Sequence, residues 1–144
     1  MQVNHCKMDV EYHELDIGEF EKHLVETNNW IEKVGGGVCK WFRAPSGKIS
    51  KGMSDVLKKH KMKHVMLDCY GNDPHIPDAN FIATTMLRSV ASGSILIIHM
   101  PEKGFREWNF EALRLVLKGL DERGLKSVTL SELEKAAEGG KKTN

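Results

Sequence analysis

At 144 residues, 40% hydrophobic and 28% charged, the chain can bury one ordinary core and not two, so one domain over residues 1–137 with a flexible tail over 138–144 is expected. Lys and Arg number 21 against 20 Asp and Glu, and a formal charge of +1 excludes the basic field that draws proteins to phosphate backbones or anionic lipid; no nucleic-acid partner is expected. No apolar run is long enough for a bilayer and residues 1–10 carry no signal-peptide core, so a cytoplasmic chain with no membrane partner is expected, its Cys6, Cys39 and Cys69 reduced.

Residues 19–33 set Phe20, Leu24, Trp30 and Ile31, with Val34 beyond them, near helical spacing, and Gly35, Gly36 and Gly37 end that helix. Residues 38–42 read as a strand, residues 51–60 as a helix after a Pro and Gly turn, and residues 64–67 as a short buried strand. The Lys58, Lys59, His60, Lys61, Lys63 and His64 cluster reads as a solvated face at that helix end. Residues 71–77 are rich in breakers. Asp78 or Ala79 then opens a helix through Phe81, Ile82, Met86, Leu87 and Val90, and Gly93 leads into residues 94–99, a strand apolar on both faces. The strongest helix spans residues 107–123, with Phe110, Leu113, Leu117 and Leu120 on one stripe and Gly124 as its stop. Residues 126–129 read as a strand and Ser131 begins a last helix.

Strand and helix units in alternation predict an α/β fold with a parallel sheet, in which chemistry gathers at the carboxyl ends of the strands. The residues at those ends are His5, Arg43, Asp68 and His99. Singly each has an ordinary explanation: an arginine pairs a carboxylate, an aspartate caps a turn, a histidine satisfies a loop carbonyl. Together a base, a cation and a carboxylate in one cleft describe a hydrolytic site. Nucleotide fingerprints fail on spacing. Phe42 stands where a phosphate-binding loop before Gly47-Lys48 needs its first glycine, and the glycine triplet precedes a strand instead of following one. No Gly-x-Ser-x-Gly elbow is present.

From Val3 to about Leu133 the residues resemble the NodB-homology, or polysaccharide deacetylase, family. VNHCKMD is similar to the family's second motif, which implies a divalent metal such as zinc held by His5 and Asp9, although most members carry histidine at the second position. WFRAPSG resembles the third motif; there Arg43 would hold the catalytic base and the backbone N–H of Ser46 would meet the oxyanion. MLDCYGNDPHIP covers the fourth, with Asp68 or Asp73 tuning the catalytic histidine. GSILIIHM resembles the fifth, with Ile97 in an apolar pocket and His99 protonating the leaving amine, and GLKSVTLSEL matches the closing strand and helix.

The family's first motif, with its adjacent aspartates, has no counterpart, since no Asp-Asp pair occurs in the chain. In the family one of them is the general base and the other completes the metal triad. The resemblance therefore implies an N-terminally incomplete (β/α) barrel with a partial ligand set. Its substrate would be an N-acetylated sugar polymer, cleaved weakly or not at all by this chain. The alternative is a noncatalytic module that binds carbohydrate or a partner through the same cleft. Missing strands imply an open sheet of about five strands and a homodimer across its exposed edge.

Overall fold

The computed structural model describes residues 2–140. Two compact units divide the chain after Met66.

In the first unit Asp16 accepts the amide hydrogens of Gly18 and Glu19 at 2.8 and 3.3 Å, and this cap starts α1 (Ile17–Lys33) ahead of the apolar spacing. Phe20 and Leu24 form its inner face, fully buried. Tyr12 and Phe42 meet Phe20 edge-on at centroid distances of 5.8 and 5.5 Å. The expected stripe does not stay inside along its whole length. Trp30 and Val34 are 65% and 74% exposed, because the core they would cover has ended, and the Lys33 ammonium lies over the Trp30 ring at 5.2 Å. Gly35, at φ 84°, and the bond from Gly36 N–H to the Ile31 carbonyl at 2.8 Å terminate the helix.

β1 (Trp41–Phe42) and β2 (Lys63–His64) pair in parallel, Trp41 beside Lys63 and Phe42 beside His64. Asn4 bridges to Phe42, also in parallel: its N–H donates to the Trp41 carbonyl and its own carbonyl accepts from Arg43 N–H, both at 2.9 Å. Three extended segments thus lie side by side with β1 in the middle. The connection from β1 to β2 is α2 (Lys51–Lys59), capped by Ser50 Oγ and burying Met53, Val56 and Leu57. Glu21 of α1 holds the end of α2 through Lys59 and His60.

In the second unit β3 (Cys69–Tyr70) and β4 (Leu96–Ile97) pair in parallel, joined through α3 (Ala79–Ser89), whose cap is Asp78 Oδ1 accepting from Phe81 N–H at 3.0 Å. α4 (Trp108–Glu122) packs on α3 and α5 (Leu130–Gly140) follows. The two helices lie close at Gly119, where a Cβ would stand 2.4 Å from Leu87 Cδ1.

The parallel α/β class holds, and several expectations are corrected. Among the described residues pairing forms two sheets of two strands each; β1 and β4 are shorter than the strands expected over residues 38–42 and 94–99, β2 overlaps the one expected over 64–67 only at His64, and β3 was not expected. Residues 126–129 form no strand, and Leu96 to Ile98 are only partly buried. α4 turns a different face inward: Asn109, Ala112, Val116, Gly119 and Leu120 are buried, while Phe110, Leu113 and Leu117 are 68%, 41% and 47% exposed. Small residues let α4 lie close to α3, and that gain outweighs burying the bulkier stripe. Glu138 to Gly140, expected in a frayed tail, continue α5, and residues 141–144 lie outside the described residues. Among the described residues no helix is long and apolar enough to cross a membrane.

Candidate catalytic site

The second unit carries a hydrogen-bonded aspartate and histidine. Asp73 follows β3, is fully buried, and sits at the centre of four interactions. Its Oδ2 accepts from the backbone N–H of His99 at 2.9 Å and from Asn109 Nδ2 at 2.6 Å. His99 Nδ1 lies 3.0 Å from Oδ2 and 3.2 Å from Oδ1. The indole N–H of Trp108 donates to the Asp73 carbonyl at 3.1 Å, and Asn109 Nδ2 also reaches the His99 carbonyl at 3.0 Å. A carboxylate is an acceptor only, so the proton on the neutral ring resides on Nδ1 and Nε2 is left to exchange protons. The imidazole is 38% exposed, which gives that nitrogen access to a ligand. The Tyr70 ring stands edge-on to His99 at 6.5 Å; burial, with the nearby Asp73 charge, pushes its phenol above the ordinary range and keeps it protonated.

Asp68 takes another part. It precedes β3, at the amino end, where its Oδ1 accepts from Ile95 N–H at 2.7 Å. Of the two aspartates left open by the sequence, Asp73 is the one that touches His99. Ile97 is partly buried in β4, in register with Tyr70.

The first unit holds the other candidates. His5 is exposed, with Nδ1 2.6 Å from the Arg43 carbonyl, which again directs Nε2 outward. Asp9 is exposed on a bend. The Arg43 guanidinium is half-buried, donates from Nη1 to the Ala44 carbonyl at 3.3 Å, and rests against Met66 Sδ at 3.8 Å. It lies across Gly47, where a Cβ would come 2.9 Å from Nη1, so that glycine, at φ 80°, makes room for it. Ser46 beside it is exposed and adopts φ 55°, a costly conformation for a residue with a Cβ. Burial lowers the pKa of Arg43, and burial and then the Arg43 charge lower that of His64. Burial pushes the Cys6 thiol up to about 12, which makes it a poor nucleophile at neutral pH.

A divalent metal needs at least three convergent ligands to be held well. Among the described residues the one such group with ligand atoms within 4.8 Å of each other is Glu11, His13 and Glu14, which contains neither His5 nor Asp9. Glu11 is already paired with Lys48 at 2.9 Å. His5 Nε2 and the Asp9 carboxylate suit a metal chemically but make a partial set.

The structure brings His5 to Arg43 within the first unit and Asp73 to His99 within the second. Trp108 and Asn109, which hold Asp73, escaped the sequence reading. The signal for Asn109 was an amide on the same helical face as Ala112 and Val116, a position that demands a buried partner.

No family model matches the chain. It is 25% identical over 130 residues to the uncharacterized protein YlxY of Bacillus subtilis, covering 90% of this chain and 39% of that protein. Among solved structures, the peptidoglycan deacetylase PdaC of Bacillus subtilis superposes with a TM-score of 0.84 at 23% identity, over 96% of this chain and 65% of that one. A CE4 family pseudoenzyme from Bacillus anthracis gives 0.80 at 24% identity, over 91% and 45%. A mutant of that pseudoenzyme, described as having restored activity, gives 0.81 at 25% identity over 91% and 46%. The chain thus has the fold of the NodB-like, family 4 carbohydrate esterases, and it spans about two fifths of YlxY and just under two thirds of the PdaC structure.

Proposed function

We propose that the chain is a polysaccharide deacetylase-like domain whose cleft receives an N-acetylated sugar polymer and whose own turnover is weak or absent. The observation that carries this reading is the Asp73–His99 pair, braced by Trp108 and Asn109, on a fold shared with carbohydrate deacetylases. In the hydrolysis of an acetamide, the C–N bond breaks only when the departing nitrogen is protonated. His99 is built for that step: buried Asp73 fixes the ring, stabilises it when it becomes imidazolium, and leaves Nε2 to deliver the proton. Ile97 would line the pocket for the acetyl methyl, and Ser46 N–H would face the oxyanion. Arg43 suits the holding of a base carboxylate, yet none lies within ion-pair distance of it among the described residues. His5 and Asp9 would be the two metal ligands that this chain contributes.

The partial ligand set and the absence of an Asp-Asp pair favour a second reading, a noncatalytic module that binds carbohydrate or a partner. The finer architecture, an open parallel sheet of about five strands that dimerises through its edge, belongs to the same proposal. Acetate release from chitooligosaccharides and peptidoglycan, with zinc added, separates the two readings. Release that disappears in His99→Ala and falls in His5→Ala supports a hydrolase. Saturable oligosaccharide binding without release supports the module. Neither release nor binding would sink both.

A further inference from the structure

The chain that follows His99 turns back on itself before it enters α4. Glu102 and Phe105 exchange backbone hydrogen bonds of 2.9 Å in each direction. Gly104, at φ 77°, permits that turn, and its N–H donates to Glu107 Oε1 at 2.9 Å. The returning strand of chain is tied to the Asp73–His99 pair through one residue: Asn109 N–H donates to the Arg106 carbonyl at 2.9 Å, while Asn109 Nδ2 donates to the His99 carbonyl at 3.0 Å. The turn is therefore held close to His99.

Phe105 closes this turn and is 53% exposed. The Arg106 guanidinium lies 4.2 Å from the centroid of its ring, and the Arg106 side chain is only 18% exposed. One face of the ring is thus covered by a cation that is itself mostly buried, which leaves the opposite face to solvent. Arg106 Nε has no hydrogen-bond partner, and the Glu102 carboxylate stands off at 4.0 Å, so stacking on Phe105 is the close contact this guanidinium makes. A single exposed phenylalanine is ordinary. This one is fixed from below by a buried cation and from behind by a closed turn, so a ligand that lies on it orders little that is not already ordered. A flat apolar face beside a proton-donating histidine matches a pyranose ring, whose axial C–H groups form an apolar face inside a rim of hydroxyls.

We propose that Phe105, propped by Arg106, is a stacking platform for one sugar ring of the bound polymer, adjacent to the unit at His99, and that it makes the cleft prefer oligomers to single sugars. The platform rests on the deacetylase-like reading of the cleft, with or without turnover.

The test measures binding of N-acetylglucosamine and of chitotetraose to the whole chain by calorimetry, with the Phe105 ring protons followed by NMR. The tetramer should bind about tenfold more tightly than the single sugar and should shift the Phe105 ring protons. Phe105→Leu keeps an apolar side chain and removes the flat face; it should weaken the tetramer about tenfold and leave the single sugar unchanged. Phe105→Trp should restore or tighten tetramer binding. An unchanged tetramer affinity in Phe105→Leu, or Phe105 ring protons that stay still at saturation, overturns the platform and leaves the reading of the cleft in place. The ring protons of the wild-type chain decide alone if a variant does not fold. A wild-type chain that binds neither sugar overturns the platform and that reading together.

Discussion

Asn109 shows how much one side chain can hold. Its amide joins the Asp73 carboxylate, the His99 carbonyl and the inner face of α4, in a place no water-exposed group could replace. Asn109→Ala should cost about 1–3 kcal/mol, because the partner left behind is a buried carboxylate. It should also broaden the His99 ring resonances, whereas Asn109→Asp, a second carboxylate beside the first, should be worse on both measures. Chemical denaturation and histidine NMR check both. His64 gives a pH test. Its pKa is held below 6.5 in the folded chain, so between the two values the unfolded state binds more protons. Stability is complete above about pH 6.5 and declines as pH falls towards the folded value; melting temperatures of His64→Gln should lose that part of the slope. His5, Arg43, Asp73 and His99 stood among the sequence candidates, and the structure sets His5 on the Arg43 carbonyl and His99 on Asp73. The choice of Asp73 over Asp68 could not be made from sequence. It depends on where β3 begins, and the five-residue interval between the aspartates places one at each end of that strand.

Helices were legible from apolar spacing to within a residue or two, α4 without any side-chain cap and α1 two residues late because its Asp16 cap was not read. Asp16, Ser50 and Asp78 each accept from the first turn, and α2 and α3 begin where the sequence implied. The strands at Trp41–Phe42 and Leu96–Ile97 were legible in place but not in length, while β3 went unexpected and residues 126–129 form none, because pairing needs a neighbour at each position and apolar runs do not reveal one. The inward face of α4 was misread for a physical reason: hydrophobic spacing finds the bulkiest stripe, whereas helix pairs at close range select the small one. Gly119→Ala therefore should push the Leu87 methyls aside and destabilise by about 1 kcal/mol, the helix preference of alanine offsetting part of the clash. Equilibrium unfolding would show it, and Leu87→Ala in the same chain should recover part of the loss. Between α1 and α2 the bond from Lys59, then that from His60, lowers the pKa of Glu21 below 4.5. The contribution of that carboxylate is present above about pH 4.5 and disappears as pH falls through the lower folded value. Glu21→Gln should flatten the acid limb of a pH-dependent melt; its exposure and screening keep the effect small.

At the scale of the whole molecule, charge is nearly balanced, with a formal net charge of +1 and a pI near 7.8. Mutual repulsion between copies is then weakest close to physiological pH. That matters because α4 directs Phe110, Leu113 and Leu117 outward along successive turns. Light scattering should find the greatest colloidal attraction near the pI and relief on acidification, as the seven histidines charge. Leu113→Lys with Leu117→Glu should raise the saturation concentration and leave the Asp73–His99 pair untouched. A helix that hides its glycine and shows its phenylalanine thus leaves an apolar stripe through which copies of this protein are expected to associate as it is concentrated.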